Sequence, residues 1–255
     1  MKKIITYNIN GIRSALSKDF STWLTGMNPD IICLQEIKAS PDQFDTNIFK
    51  AMGYHDFWFP AQKKGYSGVA ILCKEKPIGT EYGTGHRQSD QEGRVIRVDF
   101  KDYSVMSVYA PSGSSGDERQ DFKMIWLEEY IRYMKKLLKD KPNLLVTGDF
   151  NICHKPIDIH NPVSNARSSG FLPEEREWMD RFTEVGFNDA FRHFNSDPHE
   201  YTWWSFRANA RAKNLGWRID YQFVSGDLVK LLKHSAHIPE ARHSDHCPVL
   251  VDADL

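Results

Sequence analysis

Apolar and polar residues along the 255-residue chain follow two periods, which predict strands alternating with helices. Loose alternation over Lys2–Asn8 predicts a first strand, and the continuous apolar run Ile31–Leu34 predicts a buried one. Apolar residues at helical spacing predict a long amphipathic helix from about Asp117 to Leu138, and a second over Pro173–Val185 that ends at Gly186. The chain is therefore expected to combine α and β structure.

The same patterns predict the shorter elements. Apolar spacing predicts a helix between Phe20 and Met27, and Ser40-Pro41-Asp42-Gln43 has the form of a capping box that begins another helix, which stops at Gly53. Lys101-Asp102 is expected to form a tight hairpin. The other predicted elements are a short helix near Asp227–Leu232 and the strands Tyr54–Phe59, Val69–Cys73, Arg94–Phe100, Tyr103–Tyr109, Asn143–Thr147, Tyr201–Phe206, Arg218–Ser225 and Cys247–Asp252. Hairpins mixed with helices predict an α/β fold of two mostly antiparallel sheets packed together with helices outside, in one domain spanning residues 1–255.

Composition narrows the class of protein. Apolar residues make up 40% of the chain, and no run approaches the length of a membrane span. The N-terminus becomes polar too early for a signal peptide. The four widely spaced cysteines disfavour a disulfide framework and a zinc site, and favour a reducing, cytoplasmic compartment.

Charge alone does not indicate a partner, since the net charge is −1. Four basic residues, however, cluster among four aromatic residues: Arg207, Arg211, Lys213 and Arg218 among Trp203, Trp204, Phe206 and Trp217. This mixture suits phosphates and stacked or flipped nucleotides. The alternative is a solvated edge over a few buried aromatic rings.

Polar side chains that can perform chemistry collect where predicted strands end. They are Asn8, Asn10, Glu36, Tyr109, Asp149, Asn151, Asp245 and His246, and Asp220 lies within a strand. If the strand ends share one cleft, carboxylates held so close repel one another unless a divalent cation or a proton neutralises them. A carboxylate that activates water, an amide that positions it and an imidazole that stabilises charge suit metal-assisted hydrolysis of a phosphate ester.

Several sequence blocks in this order resemble the exonuclease III family of apurinic/apyrimidinic (AP) endonucleases, within the DNase I-like endonuclease/exonuclease/phosphatase superfamily. The blocks are Thr6–Arg13, Leu34–Lys38, Val108–Pro111, Gly148–Asn151, Gly170–Arg176, Asn209–Arg211, Gly216–Tyr221 and Ser244–Pro248. The resemblance implies a four-layer sandwich of two facing sheets flanked by helices, with the active site at one end. It also implies a repair enzyme that hydrolyses the phosphodiester 5′ to an abasic site in duplex DNA and leaves a 3′-hydroxyl. We further expect 3′→5′ exodeoxyribonuclease and 3′-end cleaning activities, as in base excision repair.

The resemblance also implies roles for particular residues. Glu36 would be the main Mg²⁺ ligand, with Mn²⁺ able to replace Mg²⁺, and Asn10 and Asp245 would complete the site through water. Asp149, assisted by Asn151, would orient or deprotonate the water, and both are counted as further candidate metal ligands. His246 would contact the phosphate, Asp220 would fix its tautomer, and Asn8 would orient Asp149 or Asp245. Tyr109 would donate to the phosphate or attack it as a phenolate, and its ordinary pKa near 10 favours donation.

Substrate recognition is expected from a second group of residues. Trp203, Trp217 and Ile219 would wall a pocket for a flipped, baseless deoxyribose. Arg207 and Ala208 would enter the DNA, while Arg13, Ser112 and Arg167 would contact it. Two departures from relatives concern Asn10, where some carry an acid, and Ser112, where many carry an amide.

Alternative functions remain open at this level. A phosphatase of inositol lipids or a sphingomyelinase would share the Asp-Asn and Asp-His pairs, and a non-catalytic nucleic-acid-binding module would share the basic and aromatic residues. Zinc on His154 and His160, or on His243 and His246, is disfavoured, because no cysteine completes the set. We expect a monomer that needs no obligate protein partner and no membrane.

Overall fold

Fourteen strands and eight α-helices make up the computed structural model, which describes residues 1–255. The strands are β1 (Lys2–Asn8), β2 (Ile31–Gln35), β3 (His55–Phe59), β4 (Val69–Cys73), β5 (Gly79–Tyr82), β6 (Val95–Asp99), β7 (Ser104–Tyr109), β8 (Leu144–Asp149), β9 (Phe187–Asp189), β10 (Trp203–Trp204), β11 (Gly216–Trp217), β12 (Asp220–Ser225), β13 (Leu232–His237) and β14 (Val249–Ala253). The helices are α1 (Ile12–Leu16), α2 (Phe20–Met27), α3 (Asn47–Ala51), α4 (Arg87–Gln91), α5 (Asp117–Asp140), α6 (Pro173–Glu184), α7 (Ala190–Phe194) and α8 (Leu228–Leu231).

The strands form two six-stranded sheets and one two-stranded ribbon. The first sheet has the order β13-β14-β1-β2-β4-β3, the second has the order β5-β6-β7-β8-β12-β9, and β10 pairs with β11. Each large sheet contains one parallel pair, β1 with β2 and β7 with β8, and its other pairs are antiparallel. This is the mostly antiparallel arrangement that the sequence predicts.

Alternating side chains place the two sheets face to face in the middle of four layers. In β1, Ile4 belongs to the core between the sheets, whereas its neighbour Ile5 packs under the helices that carry Phe20 and Phe49. Successive strand residues point to opposite faces, so one strand supplies both cores. On the far side of the second sheet, α5 and α6 cover a third core that includes Trp126. The predicted four-layer sandwich is therefore the observed fold.

Strand register brings the predicted polar residues to one edge of the sandwich. Because β7 and β8 are parallel, Tyr109 pairs with Asp149 where both strands end. The antiparallel strand β12 begins beside them, with Asp220 opposite Asp149. In the first sheet, β1 and β2 are also parallel, so Asn8 lies beside Gln35, directly before Glu36.

Several predicted boundaries are wrong, among them the strand predicted over Cys247–Asp252, which the structure places at Val249–Ala253. The capping box at Ser40 opens only a 3₁₀ turn, because Phe44 is extended (φ −157°) and separates that turn from α3. The strand predicted over Tyr201–Phe206 is reduced to the two residues of β10. The strand predicted over Arg218–Ser225 starts at Asp220, and the residues before it lead from the ribbon strand β11.

Several short elements escape the sequence pattern. They are α1, α4, β5, β9, α7, β11 and β13. Neither α5, the longest helix, nor any other helix combines the length and apolar character needed to cross a bilayer.

Candidate active site

Asp149 lies at the centre of the edge where the strands converge. Its side chain is buried, its Oδ1 accepts the backbone N–H of Asn151 at 2.8 Å, and its Oδ2 accepts the Asn8 amide at 2.9 Å. Burial, followed by the negative charge of Asp220, raises the pKa of Asp149 to about 7, although His246 opposes the shift. A carboxyl with a pKa near neutrality can exchange a proton with water at physiological pH.

His246 lies between two carboxylates. Its Nδ1 is 2.9 Å from Asp220 Oδ2, and its Nε2 is 3.9 Å from Asp149 Oδ2. Because the carboxylate only accepts, Asp220 fixes a proton on Nδ1. Burial disfavours the imidazolium, but Asp220, Asp149 and Asp245 outweigh burial and raise the pKa of His246 to about 10. The ring is therefore cationic at neutral pH.

Glu36 projects into the site from the end of β2 with left-handed backbone (φ 49°), a conformation that non-glycine residues seldom adopt. Its Oε1 accepts the Asn8 amide at 2.9 Å, and its Oε2 is 2.7 Å from the Lys38 ammonium, which also donates to Asn10 Oδ1. Burial alone would raise the pKa of Glu36, but Lys38 and Asn8 outweigh it and lower the pKa. The Lys38 ammonium is thus held between two oxygen acceptors.

Asp245 accepts hydrogen bonds from both a polar residue of the site and an aromatic one. Its Oδ1 accepts the Asn10 amide at 2.9 Å, and its Oδ2 accepts the indole N–H of Trp203 at 3.0 Å. Trp204 turns to the opposite face of the short strand, where it is buried. Of the two adjacent indoles, only one faces the site, as alternation predicts.

Several of these groups line one cavity of about 350 Å³. We call its charged and polar lining side chains the polar wall, and Trp203, Trp217 and Ile219 the apolar wall. The lining residues are Glu36, Tyr109, Ser112, Ser114, Asn151, Ser169, Trp203, Trp217, Ile219, Asp245 and His246.

Tyr109 also lines this cavity. Burial and the negative charge of Glu36 raise its pKa well above 10, even though the Arg94 guanidinium lies 5.0 Å from the ring centroid. A phenolate is therefore disfavoured in this environment. The hydroxyl is therefore neutral and available to donate a hydrogen bond.

Carboxylate and imidazole atoms of Glu36, Asp149 and His246 lie within 4.8 Å of one another. Two of these three groups are acids, and their repulsion contributes to the raised pKa of Asp149. Oxygen donors crowded in this way fit a small, hard divalent cation. The donor chemistry therefore agrees with a metal site that includes Glu36.

Comparison with known proteins places this geometry in a family. Residues 5–246 match the endonuclease/exonuclease/phosphatase family. The chain belongs to this family. It is 43% identical to an exodeoxyribonuclease of Bacillus subtilis, over 97% of each chain. It is also 40% identical to the DNA repair nuclease APEX1 of Danio rerio, over 97% of this chain and 80% of the relative.

Solved structures agree with this assignment. An AP endonuclease from Archaeoglobus fulgidus superposes with a TM-score of 0.92 at 30% identity, with full coverage of both chains. The 3′ phosphatase NExo from Neisseria, bound to product DNA hairpin, gives 0.91 at 28% identity, also with full coverage. The predicted exonuclease III group, the DNase I-like fold and the nuclease class of enzyme are confirmed. The relatives' names favour DNA enzymes over lipid phosphatases and sphingomyelinases.

Four further residues that were predicted to bind substrate lie on the protein surface, outside the cavity. Arg13 is exposed on α1, Arg167 is exposed in the loop before Gly170, and Arg207 and Ala208 are exposed in a 3₁₀ turn after β10. Ala208 has left-handed backbone (φ 55°). None of these four lines the cavity, whereas Ser112 does.

The sequence patterns do not identify two residues that support the site through hydrogen bonds or an ion pair. Thr202 is fully buried, and its hydroxyl accepts the backbone N–H groups of Ile219 and Asp220, both at 3.1 Å. Lys38 was treated only as part of a motif, although it contacts Glu36 directly. A threonine directly before the short strand β10 carries no signal of this contact. A lysine two residues after a candidate metal ligand is a weak signal.

Three of the four histidines that could be drawn as zinc ligands have other partners. His154 Nε2 is 2.7 Å from Asp180 Oδ1, and His243 Nδ1 is 3.4 Å from the Tyr7 hydroxyl. His246 belongs with Asp220. The four cysteines are buried and free.

Proposed function

We propose that this protein is a divalent-metal-dependent DNA repair nuclease that hydrolyses the phosphodiester on the 5′ side of an abasic sugar in duplex DNA. The products carry a 3′-hydroxyl, and the same site would perform 3′→5′ exodeoxyribonuclease and 3′-end cleaning reactions. One observation carries the proposal. A single cavity of about 350 Å³ is lined both by Glu36, Asp245 and His246 and by Trp203, Trp217 and Ile219.

The proposed cation is Mg²⁺, with Mn²⁺ able to replace it. Glu36 would hold it, and Asn10, Asp245, Asp149 and Asn151 would complete the site directly or through water. The Lys38 ammonium between Glu36 and Asn10 supports this assignment, because it marks a place that already accommodates positive charge. When bound, such an ion neutralises charge on the phosphate oxygens.

The protein groups divide the remaining work. Asp149, held by Asn8 and the backbone of Asn151, would accept a proton from the attacking water. His246, kept cationic by Asp220, would donate from Nε2 to a phosphate oxygen as negative charge grows. The Tyr109 hydroxyl would donate to the same phosphate.

The apolar wall, formed by Trp203, Trp217 and Ile219, would recognise the abasic sugar. Trp203 and Trp217 meet edge to face, with ring centroids 5.9 Å apart, and Ile219 packs in the same apolar cluster. A deoxyribose without a base can enter such a pocket after it flips out of the duplex, whereas an attached base needs more room. Exposed Arg13, Arg167, Arg207 and Ala208, together with Ser112 in the cavity, would contact the DNA around it.

Replacing Trp217 with Ala tests this selection. Its ring rests against Gly170, where an added β-carbon would be 2.9 Å from the indole. We expect the preference for abasic over intact duplex to fall by roughly tenfold, the size of one large apolar contact. Digestion of an intact 3′ end should change by less than about threefold. Competition between labelled abasic and intact duplexes measures the ratio, and equal losses on both would contradict the pocket assignment.

One gel assay tests the proposed function. A duplex with a 5′ label and a single abasic site is incubated with the purified protein, with Mg²⁺ or with chelator, and product length is read. We expect one labelled product that ends immediately 5′ to the lesion and can be extended by a polymerase. In the presence of Mg²⁺, a product that ends 3′ to the lesion, or an intact duplex, would refute the proposal.

We also propose that residues 1–255 form one domain, that the protein is a monomer without an obligate partner, and that it works in the cytoplasm. The first two are tested by a single cooperative unfolding transition and by light scattering after gel filtration. Cell fractionation tests the third.

A further inference from the structure

A fully buried ion pair lies behind the cavity. Lys123 on α5 and Glu175 on α6 are both 0% exposed, and their Nζ and Oε1 atoms are 2.5 Å apart. The neighbours of Lys123 on the buried stripe of α5 are apolar, among them Phe122, Trp126 and Leu127. Helical spacing alone would therefore place an apolar residue at this position.

Stability does not explain the pair. Removing two charges from water is unfavourable, and a buried ion pair is often no more stable than apolar residues of similar size. What the pair provides instead is directed hydrogen bonds. Lys123 donates to the carbonyl of Asn151 at 2.8 Å. Glu175 accepts the backbone N–H groups of Gly170 at 2.6 Å and Leu172 at 3.0 Å.

These bonds reach both walls of the cavity. Asn151 belongs to the polar wall and contacts Asp149 through its backbone N–H. Gly170 contacts the ring of Trp217, which belongs to the apolar wall. The two anchored segments also bond directly, because Cys153 N–H donates to the Gly170 carbonyl at 2.7 Å.

A neutral side chain extends the network to the cavity surface. Gln120 donates to Glu175 Oε1 at 3.1 Å and accepts the hydroxyl of Ser169, a lining residue, at 2.7 Å. Glu175 therefore has four donors for its two oxygens.

We propose that Lys123 and Glu175 are positioning residues that fix Asn151 and the Gly170 support of Trp217 relative to each other. The inference rests on the proposed function, which assigns hydrolysis to the polar wall and lesion recognition to the apolar wall. It assigns the pair no contact with substrate. Small displacements of a positioned group lower rate strongly, because near-attack geometry is narrow.

Two double variants separate the two anchors. Lys123→Met with Glu175→Gln is uncharged and keeps one acceptor oxygen for Gly170 and Leu172. It loses the bond to Asn151, together with the bonds that Lys123 and Gln120 donate to the other Glu175 oxygen. Lys123→Met with Glu175→Leu loses both anchors. Lys123→Arg is the conservative control, because its guanidinium can still donate to both partners.

For the Met/Gln variant we expect kcat to fall roughly tenfold on both an abasic duplex and an intact 3′ end, with KM changed by less than about threefold. The Arg variant should stay within about threefold of wild type. The Met/Leu variant should also lose about fivefold in abasic preference. A Met/Gln variant with kcat within twofold of wild type on both substrates would overturn the proposal.

Hydrogen exchange supplies a readout that does not depend on catalysis. In the Met/Gln variant, amides of residues 150–153 should exchange faster, while those of Leu144–Val146 in β8 stay protected. Uniformly faster exchange, or no change at 150–153, would contradict the proposal. Failure of the proposed function is distinguishable, because wild type would then spare the abasic duplex, while the exchange comparison and the 3′-end assay still test the pair.

Discussion

Replacing Asp149 with Asn is expected to lower kcat for phosphodiester hydrolysis by roughly 10²–10⁴-fold, the range for a positioned acid or base. The amide cannot take a proton from water. It also replaces one of the two oxygens that accept from Asn8 and Asn151. Single-turnover kinetics on an abasic duplex measure the effect without product release.

The same substitution should change the pH dependence of stability in the metal-free protein. Because the folded-state pKa of Asp149 is about 7 against an ordinary 3.8, the folded state keeps a proton that the unfolded state has lost. The stabilisation from that proton is complete below pH 4 and disappears as the pH rises to about 7. The Tm of the Asn variant relative to wild type should therefore rise between pH 4 and pH 8.

Asp99→Asn is the matched control, since Asp99 is a buried acid next to Ser104, at the opposite end of β7 from Tyr109. It should leave kcat within about twofold of wild type, because it lies outside the cavity. If Asp149→Asn stays within a few-fold of wild type, or if its Tm difference is flat with pH, the assigned role of Asp149 is wrong.

Replacing His246 with Ala is expected to cost a similar factor of roughly 10²–10⁴, because a cationic donor at a developing charge is lost. Asp220→Asn probes the cause of that charge. Asp220 is the largest of the influences that raise the pKa of His246 to about 10. Its removal should lower that pKa, so the imidazolium is lost at lower pH. The alkaline limb of the pH–rate profile should move down by about one unit or more.

A nearby histidine provides the control for this pH effect. Burial and Lys18 lower the pKa of His243, and the ring contacts Tyr7 rather than an acid of the cavity. His243→Ala should leave the alkaline limb in place. An unmoved limb in Asp220→Asn would show that His246 is not held cationic by its neighbour.

Much of the fold follows from the sequence wherever burial is complete. The apolar stripe of α5 and the continuous apolar strands β2 and β4 leave little choice of structure. Strands at the edges lack this signal. In β13, residues Lys233 and His234 are exposed, and β5 has no buried residue. Pairing with a neighbour, rather than local pattern, forms such strands.

The capping box at Ser40 shows a different limit. Gln43 Oε1 accepts the Ser40 backbone N–H at 3.0 Å, as a capping box predicts, yet the chain extends at Phe44 instead of continuing as a helix. The Phe44 ring packs edge to face on Trp58 in β3, with centroids 5.0 Å apart. Tertiary packing thus overrides a local start signal.

The candidate site also contains residues that the sequence pattern predicts and residues that it does not. Residues at strand ends are predictable because each follows an apolar run. In the structure, the parallel pairs β1 with β2 and β7 with β8 bring such ends to one edge. Supporting residues such as Thr202 act only through contacts between distant segments. Lys123 does carry a usable signal in the sequence, since it is a charged residue on the apolar stripe of a helix.

The proposed mechanism requires that the acids at the cavity share one divalent cation. The direct measurement is a Mg²⁺ titration of cleavage of a 5′-labelled abasic duplex by chelator-stripped protein, for wild type and Glu36→Gln. We expect no cleavage in chelator, full recovery with Mg²⁺, and at least roughly tenfold more Mg²⁺ for half-maximal rate in Glu36→Gln. Full activity in chelator, or an unchanged Mg²⁺ requirement in Glu36→Gln, would contradict the account.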